Sequence, residues 1–348
     1  MQIKNYARTL SPNEDYTFVR ASISDKCHMD CVYCPKSDGM ENIVPEFLQG
    51  KYLALDDYTN NLIHIRRNGI EGISFTGGEP TLNANLSEYL KFAKETFNRV
   101  ELNTNGYKLS DHIDSIVKHV DLLKISLDTT NPKDLRKITN GRPYEFFDIV
   151  SAINIACKAG VNIAINSVLF KSNIDQLNPI IELCRTFNKT NKKNVYISFL
   201  DLYYTYDRRD FFLNEYLSLS EIANDLTKEY GEPYKQDRHG CIFYWFNANG
   251  IAVRLKDSNS LTYRAKVCNT CDVYCQEGIY SLKHSVEGWV TTCPSRDIKM
   301  GTYLYGGITN EEANEKLSPI VKNLKNSKPD FDSYKTFCLK NNIFKQDN

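Results

Sequence analysis

Three cysteines lie close together near the start of the chain, in the stretch Cys27-His28-Met29-Asp30-Cys31-Val32-Tyr33-Cys34. Three thiolates at this spacing can bind three irons of a [4Fe-4S] cluster, whose ordinary requirement is four cysteine ligands. The fourth iron would then stay open to bind a substrate or a cosubstrate. The same spacing also suits zinc, and three buried thiols without a metal are the simplest alternative. The cysteines alone therefore leave all three interpretations open.

A second group of cysteines follows in the last third of the chain. Its members have the spacing C-x2-C-x3-C-x17-C and are Cys268, Cys271, Cys275 and Cys293. Four thiolates can close a [4Fe-4S] cluster completely, or they can hold zinc in a structural site. The other cysteines have no partner at metal spacing, and they are Cys157, Cys184, Cys241 and Cys338.

The composition narrows the class of protein. The 348 residues are 41% hydrophobic and 25% charged, as in an ordinary globular protein, and they include eleven cysteines. Neither a signal-peptide-like start nor an apolar run of the ~20 residues needed for a membrane helix is present, so we expect a cytoplasmic protein without a membrane partner. Cytoplasmic thiols are kept reduced, which favours metal or redox chemistry over disulfides. Because 43 basic residues balance 43 acidic ones, there is no strong nucleic-acid signal.

Short β-rich runs alternate with helical patterns between about residues 17 and 225, which indicates βα units around a parallel sheet. The predicted strands are Phe18–Ser24, Gly72–Thr76, Arg99–Thr104, Leu122–Leu127, Val161–Phe170 and Asn194–Leu200. Helical patterns between them lie near residues 56–67, 86–97, 109–118, 144–158 and 175–187. Six strands with their helices predict an α/β fold, a partial (β/α)6 TIM-like barrel with a small C-terminal domain.

The alternation fades after about residue 225, and we divide the chain there. Residues 1–14 are predicted to be an N-terminal extension and residues 15–230 the partial barrel. Residues 231–315 are predicted to form a second domain that carries the later cysteines, and in it Cys241–Phe246 and Ile251–Leu255 read as a hairpin. The Lys- and Asn-rich residues 316–348 predict a C-terminal helical tail.

Polar motifs stand at the ends of three predicted strands, where parallel α/β folds place their chemistry. One strand runs into Gly77-Gly78-Glu79-Pro80, the next ends in Asn103-Thr104-Asn105-Gly106, and Ser126 stands near the end of the following strand. Alone, a Gly-Gly-Glu-Pro sequence is commonly a turn, and hydroxyl or amide residues at strand ends are common helix caps. Together with the first cysteine group, they form one constellation.

With these motifs, the chain resembles the radical S-adenosylmethionine (SAM) superfamily over about residues 15–225. The resemblance implies that Cys27, Cys31 and Cys34 hold a [4Fe-4S] cluster with an open iron for SAM. The residues that it implies for SAM binding are Tyr33, Gly77, Gly78, Glu79, Thr104, Asn105 and Ser126. In the implied reaction, one electron from the cluster breaks the sulfonium C–S bond of SAM, and the resulting 5′-deoxyadenosyl radical takes a hydrogen atom from the substrate.

The second cysteine group resembles the auxiliary-cluster extension of such enzymes, called a twitch or SPASM-like domain. The resemblance implies a second [4Fe-4S] cluster, for which the ligands would be Cys268, Cys271, Cys275 and Cys293. Zinc would be the default interpretation for this segment in isolation. Whether three or all four cysteines are ligands stays open.

Within the superfamily, the chain most resembles the molybdopterin-precursor GTP cyclases, in which the position matching Arg20 contacts the substrate phosphates. Several of the cyclase's cationic positions differ here. Ser74 and Ala164 replace an Arg and a Lys, and no Arg-x-Arg segment follows Cys271. Fixed cations are the usual way to bind a triphosphate, so we expect a substrate other than GTP, and Arg20 is the residue that we assign to substrate binding.

These patterns predict a biosynthetic radical SAM enzyme that takes hydrogen from a small polar substrate, similar to a nucleotide, a nucleoside or a sugar. A maturase of a ribosomally made peptide and a non-catalytic iron–sulfur or zinc protein are the alternatives. The few residues ahead of the first strand are too short for a leader-peptide domain, which favours the small molecule. The expected electron donor is a reductase or a protein of the flavodoxin or ferredoxin type.

Overall fold

The strands of this protein alternate apolar and polar side chains in a way that gives a parallel sheet two different faces. In β1 (Phe18–Ser22), Val19 and Ala21 are fully buried, whereas Arg20 between them lines a cavity. Successive side chains of a strand point to opposite faces, so one face of the sheet is apolar and the other is polar. A parallel sheet covered on both faces would read as a continuous apolar run instead.

The structure, a computed structural model, describes residues 3–4, 17–35, 44–141, 146–190, 195–238, 241–256, 263–265, 268, 276, 278–293 and 300–329. Most of the predicted extension 1–14 and the end of the predicted tail lie outside the described residues. So do Cys271, Cys275, Cys338 and the side chain of Cys241.

The strands after β1 are β2 (Gly72–Thr76), β3 (Arg99–Thr104), β4 (Leu122–Ser126), β5 (Ile163–Leu169), β6 (Val195–Asp201), β7 (Tyr234–Arg238), β8 (Cys241–Ala248), β9 (Ile251–Lys256), β10 (Tyr263–Arg264), β11 (Leu282–His284), β12 (Trp289–Thr291), β13 (Gly301–Tyr303) and β14 (Lys328–Pro329). The helices are α1 (Leu55–Arg67), α2 (Leu86–Thr96), α3 (Leu109–His119), α4 (Pro132–Ile138), α5 (Phe146–Ala159), α6 (Leu177–Thr190), α7 (Arg209–Glu215), α8 (Leu219–Tyr230) and α9 (Asn310–Lys325). Short 3₁₀ turns join several of them, including Pro80–Leu82 after β2.

One large sheet has the strand order β13-β12-β11-β1-β2-β3-β4-β5-β6-β9-β8-β7. Strands β1 to β6 are parallel neighbours in sequence order, and β11 and β9 extend them in parallel at the two outer edges. The strands beyond β11 and β9 are antiparallel. Because β1 and β6 each gain a partner from the last third of the chain, neither edge of the six-stranded core is left open.

The helices cover the apolar face of the sheet. Their buried residues, such as Leu62 and Ile65 of α1, belong to one continuous core with Val19, Ile73 and Phe75 of the strands. The ends of α1 also match the helix dipole, with acidic residues in its first turn and basic residues in its last. The core therefore lies between the sheet and the helices, and the opposite face is available for a site.

The predicted α/β class and the partial barrel of six parallel strands are confirmed. The predicted strands agree with β1 to β6 within about two residues at each end, and the predicted hairpin is β8–β9. The sequence patterns missed α4, α7 and α8. The hairpin continues the barrel sheet through β6, and α9 crosses the predicted boundary at residue 315, so the domain limits stay a prediction.

Candidate active site

The first cysteine group lies on the loop that directly follows β1, at the carboxyl-terminal edge of the sheet. Cys27 and Cys34 are exposed and Cys31 is half-buried. The loop turns at its end, where the Cys34 N–H donates to the Cys31 carbonyl at 3.0 Å. The Val32 N–H donates to the carbonyl of Ile138 at 2.9 Å, which ties this loop to the end of α4.

Arg208, which follows β6, holds the cysteine loop from outside. Its Nε donates to the Cys34 carbonyl at 2.7 Å, and its Nη2 contacts Asp30 Oδ1 at 3.1 Å. Asn140 donates from Nδ2 to the other Asp30 oxygen at 2.8 Å. The loop is thus fixed at both ends by side chains from distant parts of the barrel, which limits the freedom of the thiols between them.

Tyr33 anchors the same loop from inside. Its hydroxyl donates to Asp128 Oδ2 at 2.5 Å, and Asp128 Oδ1 accepts from the Val168 N–H at 2.8 Å. Burial raises the pKa of Asp128 to about 6, while the hydrogen bonds from Tyr33 and Val168 oppose that shift. Both carboxylate oxygens accept a hydrogen bond, and these bonds favour the ionised form. Tyr33 also packs near Phe170, with 6.3 Å between ring centroids.

The donor set of this loop fits an iron–sulfur cluster. Burial raises the pKa of the Cys31 thiol well above its ordinary value, and Cys34, Asp128 and Cys27 raise it further because their negative charges are close. Cationic iron would favour the thiolate form instead, which is the form that binds iron. Among the residues that the structure describes, no three Cys, His, Asp or Glu side chains are close enough to share a single metal ion. A [4Fe-4S] cluster does not require this, because each cysteine binds a different iron.

Gly77 and Gly78 pack against the segment that leads into the cysteine loop. The Gly78 and Glu79 N–H groups donate to the carbonyls of Ser24 and Lys26, both at 2.7 Å. A Cβ at Gly77 would lie 2.2 Å from the Ser24 carbonyl oxygen, and one at Gly78 would lie 2.3 Å from that of Lys26. Gly77 also has a φ of +135°, which side chains rarely tolerate. Glycine is required at both positions for this close approach.

Glu79 is buried and organises two of the strand-end motifs. Its Oε1 accepts from the Thr81 N–H at 3.0 Å, the Thr81 hydroxyl at 2.8 Å and the Thr104 hydroxyl at 2.6 Å. Its Oε2 accepts from the Asn105 N–H at 2.8 Å. Burial raises the pKa of Glu79, and these four hydrogen bonds oppose the rise. Each carboxylate oxygen has about two acceptor positions, so Oε2, which accepts one bond, keeps one for the ammonium group of SAM, the contact that the resemblance to radical SAM enzymes implies for Glu79.

Replacing Glu79 with Gln should weaken SAM binding about tenfold or more, because a charge-assisted contact to the SAM ammonium is lost. A Gln amide nitrogen at the Oε2 position would also face the Asn105 N–H, so the melting temperature should fall slightly. Calorimetric titration of SAM into the reconstituted protein measures the first effect. The matched control is Glu88→Gln on the exposed face of α2. An unchanged SAM affinity in Glu79→Gln would show that the motif is wrongly assigned.

The remaining predicted SAM residues lie at the same edge of the sheet. The Thr104 hydroxyl is buried, donating to Glu79 and accepting from the Gly106 N–H at 2.9 Å, so its role is to shape the loop. Asn105 Nδ2 lies 3.8 Å from Cys27 Sγ. Ser126 is half-buried at the end of β4 and pairs with Asn166 in the strand register. The structure thus brings the predicted SAM residues together around the cysteine loop.

Cys293 of the second cysteine group lies toward the opposite end of the sheet. In the register, Lys283 of β11 pairs with Arg20 of β1 and with Thr291 of β12. Strand β12 runs antiparallel to β11 and therefore also to β1. Cys293, two residues after Thr291, thus lies closer to the amino-terminal end of β1 than Thr291 does. Cys268 and Cys293 are both half-buried against the main core. Arg20 therefore lies at a level between Cys293 and the cysteine loop.

A cavity of about 170 Å³ lies on the polar face of the sheet, at the level of Arg20. Its lining comes from β1 to β6, from β8 and β9, and from Tyr280 and Ser281 ahead of β11. Arg20 Nη1 donates to the Tyr280 hydroxyl at 2.7 Å. The two positions that depart from the cyclase pattern are also neutral in the structure. Ser74 Oγ accepts from Asn103 Nδ2 at 2.8 Å, and Ala164 packs under Tyr196 and Trp245.

The fold and the cysteine loop together define the class of protein. Residues 21–184 match the family model of the Radical SAM superfamily, a span that runs from β1 into α6. The chain therefore contains a radical SAM domain, which the match places at residues 21–184. Enzymes of this superfamily carry a [4Fe-4S] cluster and use SAM. In the part of the chain that the structure describes, no helix is long and apolar enough to cross a membrane.

Curated relatives of this chain include several proteins named GTP 3′,8-cyclase. The one from Mannheimia succiniciproducens is 29% identical over 219 residues, which is 62% of this chain and 62% of the relative. The one from Rhizobium leguminosarum is 31% identical over 221 residues, covering 62% of this chain and 60% of the relative. The similarity thus spans about three fifths of the length of each of these proteins.

Solved structures with a similar fold include Streptococcus suis SuiB bound to the precursor peptide SuiA. That structure has a TM-score of 0.59 and 13% identity, and the match covers 93% of this chain and 70% of SuiB. The structure described as native anSMEcpe with bound AdoMet has a TM-score of 0.50 and 16% identity, covering 88% of this chain and 83% of the other. At these identities the likeness shows the fold alone.

Several residues at the site were not found by sequence reasoning. Arg208 and Asn140 hold the cysteine loop, and Asp128 anchors Tyr33. Arg254 and Lys256 line the cavity from β9. In β9, apolar Val253 and Leu255 alternate with Arg254 and Lys256, and this alternation in a predicted strand indicates a polar face. Nothing in the local sequence marks Arg208.

Proposed function

We propose that this enzyme cleaves SAM reductively and removes a hydrogen atom from a small polar substrate held on the polar face of the barrel. The main observation behind this proposal is that two loops at one edge of the sheet hold each other in place. The cysteine loop and the Gly77–Glu79 loop are joined by backbone hydrogen bonds directly above the cavity. A cluster and SAM held there would face the cavity from its strand-end side.

When bound, the cluster and SAM would supply the electron transfer and the radical. The chain's own residues would bind the cluster and SAM and hold them in position. Cys27, Cys31 and Cys34 would hold the cluster, while Glu79 and Asn105 would hold SAM beside it. Arg208 and Tyr33 keep the cysteine loop in place through their bonds to Cys34 and Asp128. General acid or base groups are not required for this chemistry.

The proposal includes a second [4Fe-4S] cluster on the later cysteines and an external electron donor of the flavodoxin, ferredoxin or reductase type. Cys268 and Cys293 are the two members of that group that the structure describes; both are half-buried against the core and would be two of the ligands. A substrate in the cavity would then lie between the two cysteine groups. Both features are tested by iron analysis and by reduction assays.

A small molecule is favoured over a peptide by the form of the cavity. Its lining is shared among eight strands and the segment ahead of β11, so the space lies on the inner face of the curved sheet. Its volume of about 170 Å³ is below the ~300–1,000 Å³ of typical ligand pockets, so it suits only a compact ligand or part of a larger one. The SuiB structure contains a precursor peptide, but its likeness to this chain concerns the fold.

Anaerobic reconstitution with iron and sulfide, followed by reduction with dithionite in the presence of SAM, tests the proposal. The expected result is 5′-deoxyadenosine and methionine, detected by liquid chromatography, well above the level given by the apoprotein. A protein that shows the cluster absorption band and yet forms no 5′-deoxyadenosine would overturn the proposal. It would favour a non-catalytic iron–sulfur protein instead.

GTP should not be turned over to a cyclised product, although the curated relatives carry the name GTP 3′,8-cyclase. Ser74 and Ala164 offer no charge where the resemblance expects an Arg and a Lys. Each lost charge-assisted contact costs about 1.5–3 kcal/mol, so two losses should weaken triphosphate binding roughly a hundredfold or more. The Mannheimia cyclase, assayed in parallel, is the positive control. Cyclised product at a comparable rate would contradict this prediction.

A further inference from the structure

Arg254 is a buried cation in the cavity. Its side chain is almost fully enclosed, with the residue 4% exposed, and it projects from β9 toward the polar face of the sheet. Nε and Nη2 donate to Ser198 Oγ at 3.0 and 2.7 Å, and the guanidinium carbon lies 4.4 Å from the ring centroid of Phe243. No carboxylate among the described residues forms an ion pair with it.

The Arg254 guanidinium has hydrogen-bond donors that the described residues do not use. It carries five N–H groups, and the bonds to Ser198 use two of them. Nη1 donates to no described residue. A buried charge is costly unless an opposite charge or several hydrogen bonds compensate it, and aromatic contacts with Phe243 and Trp245 supply only part of that compensation. An anionic group with two oxygens that accept parallel N–H bonds, such as a carboxylate or a phosphate, would complete it.

The surroundings of Arg254 are also cationic. Four basic side chains line the cavity, namely Arg20, Lys124, Arg254 and Lys256. The acidic side chain in that lining is Glu101, and it already contacts Arg99 at 2.8 Å and Lys124 at 2.5 Å. Lys256 Nζ and Lys283 Nζ lie 5.1 and 5.3 Å from the ring centroid of Tyr280. Among the described residues that line the cavity, basic side chains therefore outnumber acidic ones four to one.

Resting on the proposed function, we propose that this cavity binds an anionic group of the substrate, a phosphate or a carboxylate, through Arg254 and Lys256. The two residues are separated by one position in β9, so their side chains leave the strand on the same face. In the register Arg254 pairs with Ser198 and Lys256 with Leu200, which puts Lys256 nearer to the strand ends. An anion between them would accept two hydrogen bonds from the Arg254 guanidinium and one from the Lys256 ammonium group.

Calorimetric titration of the reconstituted protein with inorganic phosphate and, separately, with succinate tests the anion site without any reductant. We expect wild-type protein to bind at least one of these anions, and the better ligand distinguishes a phosphate group from a carboxylate. Arg254→Gln should weaken that binding about tenfold or more, and Arg254→Lys should restore part of it. The matched control is Arg185→Gln on α6, where the arginine pairs with Glu182 at the surface.

If Arg254→Gln fails to fold, Lys256→Gln provides a second test. Lys256 is only half-buried, so its replacement should disturb the fold less. It should also weaken anion binding. Failure of wild-type protein to bind either anion would overturn the anion site, and so would unchanged affinity in every folded Arg254 and Lys256 variant. A protein that cleaves SAM but binds neither anion contradicts the anion site alone. A protein that binds phosphate through Arg254 but never cleaves SAM supports the site and contradicts the proposed function.

Discussion

Replacing Cys31 with Ala should reduce 5′-deoxyadenosine formation to the level of the protein-free reaction. Removal of one of three thiolates takes away an iron ligand, and the expected loss is well beyond the ~10–100-fold that follows removal of an outer-shell partner of a metal site. The cluster absorption from the first site should also be lost. Cys31 is half-buried on a loop, so the variant should fold. The assay is anaerobic product analysis together with iron content.

Cys157→Ala is the matched control for this experiment. Cys157 is a buried thiol in α5, on the helical side of the sheet, and burial raises its pKa to about 11, so it remains a neutral thiol at neutral pH. Its removal leaves a small cavity in the core and should affect stability more than activity. Retained SAM cleavage in Cys31→Ala, or in the equivalent Cys34→Ala variant, would contradict the assignment of the loop to the cluster.

Simultaneous replacement of Cys27, Cys31 and Cys34 with Ala should halve the iron content, from about eight irons per chain to about four. The second cysteine group brings its own ligands, so the triple variant should remain brown and should keep a cluster absorption band. It should form no 5′-deoxyadenosine. Iron and sulfide analysis of the reconstituted triple variant, beside wild-type protein, measures the change.

The reciprocal variant Cys268→Ala/Cys293→Ala should lose about four irons and keep the first cluster. Both cysteines are half-buried at the margin of the core, so we expect the alanine variant to fold. A colourless triple variant that contains one zinc per chain would establish a structural zinc site. The second cluster would then have to be abandoned.

The parallel core was predictable because each strand has its own pattern of alternating apolar and polar residues. Val19 and Ala21 alternate with Arg20, and Ile73 and Phe75 alternate with Ser74, which already separates the core face from the cavity face. Turn residues such as Gly77 mark where the strand ends. Local patterns of this kind fix the type and limits of an element without reference to the rest of the chain.

The contacts that complete the site were not predictable in the same way. Arg208 reaches Cys34 across 174 positions, and Asn140 reaches Asp30 across 110 positions. A single sequence shows which residues can donate hydrogen bonds, but it does not show which distant acceptor each one meets. For the same reason, the pairing of β9 with β6 was missed although both strands were found, and Arg254 was not connected with the cavity.

The strand order has a consequence for how the chain folds as it is synthesised. The six parallel strands are complete once β6 has left the ribosome, yet the outer edge of β1 gains its partner only when β11 is made. Arg20 and Tyr280, which meet at this junction, are 260 positions apart. Until then the nascent barrel exposes an unpaired strand edge, a template for pairing with other chains, and such long-range pairing is slow. Chains that end before β11 should therefore aggregate, and chaperones should matter most for this protein late in its synthesis.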